Sequence, residues 1–117
     1  MILKSNGKTI ASDVEFAKTF FSQSRGLMFK KDISDNYALV FVFDKPKKAS
    51  VHMFFVRFSI DVLFLDDDKR IIKAVNLKPW TGISSSKKKA RYIIEMKKNN
   101  ISEHGLVEGE RLFFDVA

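Results

Sequence analysis

The chain has 117 residues, a formal net charge of +7 and a pI near 9.7, with 45% apolar residues, 12 Phe and no Cys. That is one domain's worth of chain with enough apolar content to bury a single core, and no apolar run approaches the roughly 20 residues that span a bilayer. Disulfides, thiolate metal sites, iron–sulfur clusters and a cysteine nucleophile are excluded, and a basic chain invites an acidic partner without establishing one.

At the N-terminus, Met1-Ile2-Leu3-Lys4-Ser5-Asn6-Gly7 has no charged region followed by a long apolar segment, so a secretory signal is not expected and a cytoplasmic location is. Asn6-Gly7 is a strong hairpin signal that joins residues 1–5 to a strand over residues 9–17, in which Ile10, Val14 and Phe16 are spaced for one face. Thr19 can cap a short helix over Phe20–Arg25, with Gly26 stopping it and Leu27, Met28 and Phe29 turning inward. Residues 37–43, Y-A-L-V-F-V-F, form a continuous apolar run that fits a central strand covered on both faces.

Residues 50–66, S-V-H-M-F-F-V-R-F-S-I-D-V-L-F-L-D, are too apolar for a surface yet carry His52, Arg57, Ser59 and Asp61. A strand that buries polar groups must pair them or use them. The run is too long for one average strand, so a bend is predicted near residues 56–59, with Ile60–Leu65 as a second strand. Asp66-Asp67-Asp68-Lys69 then turns into a partner strand over residues 70–76. Residues 78–89, with Pro79, Gly82, three serines and three lysines, read as a long exposed loop. Residues 90–96 alternate around Tyr92, Ile94 and Met96, a short helix near residues 101–104 ends at Gly105, and Gly109 turns into a closing strand over residues 111–116 that supplies Leu112 and Phe114. Six or more short strands with two brief helices predict an all-β, mainly antiparallel, jelly-roll-like sandwich or barrel, one domain over residues 1–117.

The succession Arg25-Gly26-Leu27-Met28, Phe41-Val42-Phe43-Asp44, His52-Met53 through Ile60-Asp61-Val62-Leu63-Phe64-Leu65-Asp66, Pro79-Trp80, Ala90-Arg91-Tyr92-Ile93-Ile94-Glu95, Gly105-Leu106 and Gly109 resembles the family called domain of unknown function 192. The likeness covers residues 11–115. It implies a compact jelly-roll-like β fold of bacteria and archaea, and no established activity. Where members of that family often have Trp-Met-Lys-Asn in the central block, this chain has His52-Met53-Phe54-Phe55, so a polar pocket built on the Lys-Asn form does not carry over.

Arg25, His52, Arg57 and Asp61 are the candidate ligand-binding set: an arginine at a helix end, an imidazole and a carboxylate on neighbouring strands can bind an anion or move a proton. The competing reading makes Arg25 and Asp61 a structural pair and His52 a bonded residue of a half-buried strand. Trp80 either stacks a base or covers one end of the core, and Lys87, Lys88, Lys89 and Arg91 are the nucleic-acid candidates, or else solvated loop and edge charges. A Ser-His-Asp set can be assembled only on paper from Ser50 or Ser59, His52 and Asp61, without a nucleophile elbow. With His52 and His104 alone, and an acidic run lacking calcium-loop spacing, no metal and no cofactor are expected. The leading expectation is a monomeric, non-enzymatic binding or interaction module with a polar cleft around Arg25, His52 and Asp61, rimmed by residues 80–89 with Trp80 a further ligand-binding candidate, its partner open between an anionic ligand and nucleic acid, and no membrane association. Nucleic-acid binding through the lysine-rich loops, and an enzyme using the Arg/His/Asp cluster, are the alternatives.

Overall fold

The computed structural model describes residues 1–116, with the side chains of all but Phe20 and Phe21. Eleven elements follow in chain order: β1 (Ile2–Leu3), β2 (Thr9–Ala11), β3 (Asp13–Ala17), α1 (Phe20–Arg25), β4 (Tyr37–Lys47), β5 (Ser50–His52), β6 (Ile60–Leu65), β7 (Ile71–Leu77), β8 (Ile83–Ser85), β9 (Ala90–Lys97) and α2 (Asn100–His104). The centre is a five-stranded mixed sheet in the order β3-β4-β9-β6-β7, parallel only at β3–β4. The all-β, mainly antiparallel expectation therefore holds. Among the described residues no helix is long and apolar enough to cross a membrane.

Both faces of this sheet are covered, which is why its inner strands are apolar throughout rather than alternating. On one face Leu39, Phe41, Phe43, Val62, Phe64 and Ile93 pack against Leu27, Ala49, Val51 and Val56. On the other, Ala38, Val40, Leu63, Leu65, Tyr92, Ile94 and Met96 pack against Ile2, Ile10, Leu106, Leu112 and Phe114. The two-stranded sheet β5–β8 belongs to the first face and the hairpin β1–β2 to the second.

Local signals account for the small elements. In α1 the Thr19 hydroxyl accepts the Ser22 N–H, the Ser22 hydroxyl accepts the Thr19 N–H (both 3.1 Å), and Gly26 closes the helix by donating its N–H to the Ser22 carbonyl at 3.0 Å. Asn6-Gly7 turns β1 into β2 as expected, with Gly7 at φ 84°.

The structure departs from the sequence reading at four places. The strand expected over residues 9–17 breaks at Ser12, where Ser12 and Asp13 both donate their N–H to the Asn36 carbonyl, and its second half joins the large sheet parallel to β4. Leu27 is buried, but Phe29 turns outward and is 59% exposed. Residues 78–89 are not a bare loop: β8 pairs with β5, and the buried Ser86 hydroxyl accepts the Ala49 N–H at 3.1 Å. Residues 111–116 supply the buried Leu112 and Phe114 but make only isolated bridges, Leu3 with Phe113 and Arg70 with Arg111.

Candidate functional site

A cleft of about 310 Å³ opens on the first face of the sheet, between the end of α1, the start of β5 and the middle of β9. The ionisable residues that line it are Arg25, Lys47, Lys48, His52 and Glu95, beside the polar Gln23, Ser24 and Ser50. Strand alternation explains the position of Glu95. Ile93 belongs to the first face, Tyr92, Ile94 and Met96 to the second, so Glu95 shares the side of Ile93. It stands between Leu39 of β4 and Val62 of β6 and is 4% exposed.

The Glu95 carboxyl makes no hydrogen bond or ion pair with any described residue. Burial alone disfavours its charged form and pushes its pKa from 4.5 up to about 8. At neutral pH it is therefore mostly a protonated acid, a donor through its O–H and an acceptor through its other oxygen. Gly26 lets the backbone come close to it: at φ 49°, a Cβ added there would lie 3.7 Å from Glu95 Oε1 and 3.3 Å from Phe41 Cζ.

Around this neutral acid the charge is positive. Arg25 and Lys48 are exposed, and their side chains have no hydrogen-bond or ion-pair partner among the described residues. The Lys47 ammonium lies 4.4 Å from the Phe43 ring centroid. His52 accepts the Phe54 N–H at Nδ1, 3.3 Å away.

The structure brings Arg25 and His52 to one cleft but does not bring Asp61 there. Asp61 shares the side of Leu63 and Leu65, on the opposite face of the sheet, where it accepts from Asn76 Nδ2 at 2.9 Å and from the Ile101 N–H at 2.8 Å. A Ser-His-Asp set through Asp61 is thereby ruled out. Arg57 is exposed and outside the cleft lining. Trp80 is 49% exposed and belongs to neither apolar cluster of the core. Arg91, placed earlier with Lys87, Lys88 and Lys89, is instead tied inward, donating to the Phe43 carbonyl and pairing with Asp67 at 2.9 Å, whereas the three lysines are exposed. Among the described residues no three His, Asp or Glu side chains gather closely enough to hold a metal ion.

Glu95 is the residue that reading by residue type passed over. The signal was present, since it interrupts the apolar run Tyr92-Ile93-Ile94-Glu95-Met96 just as Asp61 interrupts its own strand.

The model of the family DUF192, described as Uncharacterized ACR, matches residues 1–114, and the chain belongs to that family. An UPF0127 protein of Pyrococcus furiosus is 37% identical over 114 residues, covering 96% of this chain and 95% of the relative. One of Pyrococcus horikoshii is 41% identical over 97 residues, 81% of each chain. One of Thermococcus sibiricus is 41% identical over 97 residues, and the match spans 61% of its length. Among solved structures, a candidate transcription regulator of Sinorhizobium meliloti superposes with a TM-score of 0.86 at 23% identity, over 96% of this chain and 88% of the other. A Novosphingobium aromaticivorans protein of unknown function gives 0.86 at 20%, over 97% and 81%. At these identities the likeness to the solved structures is one of fold.

Proposed function

We propose that this member of an uncharacterised family is a non-enzymatic binding module whose cleft takes a small anionic ligand, such as a phosphate- or carboxylate-bearing molecule. The observation that carries this reading is the pairing of a buried, unpartnered Glu95 carboxyl with a rim of three cations, Arg25, Lys47 and Lys48. A protonated acid in a cleft donates to a ligand oxygen without repelling its charge, and a guanidinium at the mouth matches two oxygens at once. The cleft volume lies at the small end of ligand pockets, which suits a compact anion rather than a polymer.

The test is a titration of isotope-labelled protein with inorganic phosphate and with small mono- and dicarboxylates, read by amide shifts. Saturable shifts confined to Gly26, residues 47–52 and Glu95, lost in Arg25→Gln, support the proposal. Binding of a neutral analogue equal to that of the anion, or amides of the cleft that stay still while Asp61 or the lysine loop responds, overturns it.

A further inference from the structure

Beside the cleft, three exposed aromatic rings form a continuous strip. Phe29, Phe55 and Trp80 are 59%, 45% and 49% exposed. Phe29 and Phe55 are stacked with centroids 5.1 Å apart and 29° between their planes, and Phe55 meets Trp80 edge-on at 5.3 Å. Large apolar side chains grouped on a surface are the informative exception to burial.

The backbone under this strip is unusual in the same three places. Phe29, Phe55 and Trp80 have φ of 68°, 59° and 66°, in the left-handed region that bulky L-residues avoid. Strained positions persist where the surroundings hold them, and here they do. Phe29 donates its N–H to the Phe55 carbonyl at 3.0 Å, Trp80 to the Val56 carbonyl at 3.2 Å, and Met53 to the Gly82 carbonyl at 3.0 Å. Three loops are thus laced together beneath the rings. A Cβ at Gly82 would fall 2.7 Å from the Lys78 carbonyl oxygen and 2.9 Å from Met53 Cγ, so the lacing leaves no room there for any other residue.

The chemistry around the rings selects the occupant. Residues 27–31, 53–59 and 78–82, which carry the strip, contain Lys30, Lys31, Arg57 and Lys78 and no Asp, Glu, Asn or Gln. Lys31, Arg57 and Lys78 are exposed, with no side-chain hydrogen bond or ion pair among the described residues. A sugar-binding platform sets carboxylates and amides beside its rings to hold hydroxyls, and these segments offer none. Rings with cations alone suit a polyanion that carries flat bases. We propose that Phe29, Phe55 and Trp80 form a stacking platform for single-stranded nucleic acid, with Lys31, Arg57 and Lys78 holding the phosphates. The exposed Lys87, Lys88 and Lys89 follow β8 on the same chain segment, within about 32 Å of Trp80 by chain length. This proposal is independent of the anion cleft and stands or falls without it.

Trp80 is the single tryptophan, so its fluorescence reports on the strip directly. The full chain is titrated at low salt with a fluorescein-labelled oligothymidine of about twelve nucleotides, followed by anisotropy and by Trp80 emission. The expected result is saturable binding with Trp80 quenching, an affinity that falls log-linearly with salt, and a loss of about 5- to 100-fold in Phe55→Ala and in Phe29→Gly. Both variants are checked for an unchanged amide spectrum away from the strip and for a retained cooperative thermal transition, which separates loss of the platform from loss of the fold. Absence of binding at low salt overturns the proposal. So does binding that leaves Trp80 emission and the ring variants unaffected, since surface charge alone then suffices. Quenching by a neutral oligosaccharide and not by the oligonucleotide, or ring-dependent self-association, assigns the strip to another occupant and equally overturns it.

Discussion

The Asp61 carboxylate accepts the backbone N–H of Ile101 at 2.8 Å, across forty positions of sequence, and so ties β6 to the first turn of α2. That helix has five residues, and its N-cap, Asn99, is left-handed with no side-chain cap of its own. Asp61 does from a distance what an N-cap side chain does locally, with Asn76 Nδ2 holding its other oxygen. Asp61→Ala leaves the Ile101 N–H and the Asn76 amide without this acceptor, and the expected cost is about 2–3 kcal/mol by chemical denaturation. The phosphate response of the cleft is expected to survive. Unchanged stability with lost anion binding would instead place Asp61 in the site.

Gly26 offers a cleaner probe of the cleft than its rim does. Ala at position 26 combines a left-handed φ of 49° with a Cβ pressed 3.3 Å from Phe41 Cζ and 3.7 Å from Glu95 Oε1. Gly7 has φ 84° with nothing within 4 Å, so Gly7→Ala carries conformational strain alone. That strain is about 1–2 kcal/mol. Gly26→Ala is expected to cost more than Gly7→Ala and to weaken phosphate binding, whereas Gly7→Ala leaves binding intact. Equal costs and equal binding would mean that the Gly26 backbone does not wall the cleft.

What the sequence disclosed depended on how far each signal had to reach. The Thr19 cap, the Gly26 stop and the Asn6-Gly7 turn act over a few residues, and α1 and the first hairpin were legible from them. The runs that became β4 and β6 were legible because a sheet covered on both faces needs unbroken apolar strands. The parallel pairing of β3 with β4 was not, since nothing in Thr9 to Ala17 shows that its two halves bond different partners. The same holds for β8, whose three residues become a strand only because β5 lies beside them. Glu95 was hidden by a period-two reading that gave one side of β9 to the core and the other to solvent. The sheet has no solvent side at β9, so the carboxyl between Ile94 and Met96 had to be buried.

The strained aromatic strip makes an ordering of variants testable. Phe29 is 59% exposed, so removing its ring forfeits about two-fifths of the ~200 Å² such a side chain can bury, or about 2 kcal/mol. Gly at a φ of 68° relieves about 1–2 kcal/mol of left-handed strain, which Ala retains. Phe29→Gly is therefore expected to unfold within about 1 kcal/mol of the parent, and Phe29→Ala about 1–2 kcal/mol below Phe29→Gly. Denaturant midpoints decide it. Ala equal to Gly would show that the backbone at Phe29 is not held left-handed in solution.

The Glu95 carboxyl sets a pH dependence whose sign follows from burial. Its folded pKa of about 8 lies above its ordinary value of 4.5, so between those limits the folded chain holds a proton that the unfolded chain has released. Each unit of pH in that window then subtracts up to about 1.4 kcal/mol from the parent's stability, an effect absent below the lower limit and complete above the upper one. Gln has nearly the same shape and no charge to desolvate, so Glu95→Gln is expected to match the parent near pH 4.5 and to exceed it increasingly as pH rises through about 8. Thermal unfolding of both proteins across that range gives the difference, in which the other titrating groups cancel. Parallel curves would mean that the carboxyl finds a partner or solvent when charged. The same ionisation sets the ligand: a newly charged Glu95 repels an anion, so phosphate affinity in the parent is expected to fall through pH 8 while that of Glu95→Gln holds level as far as the rim cations remain protonated.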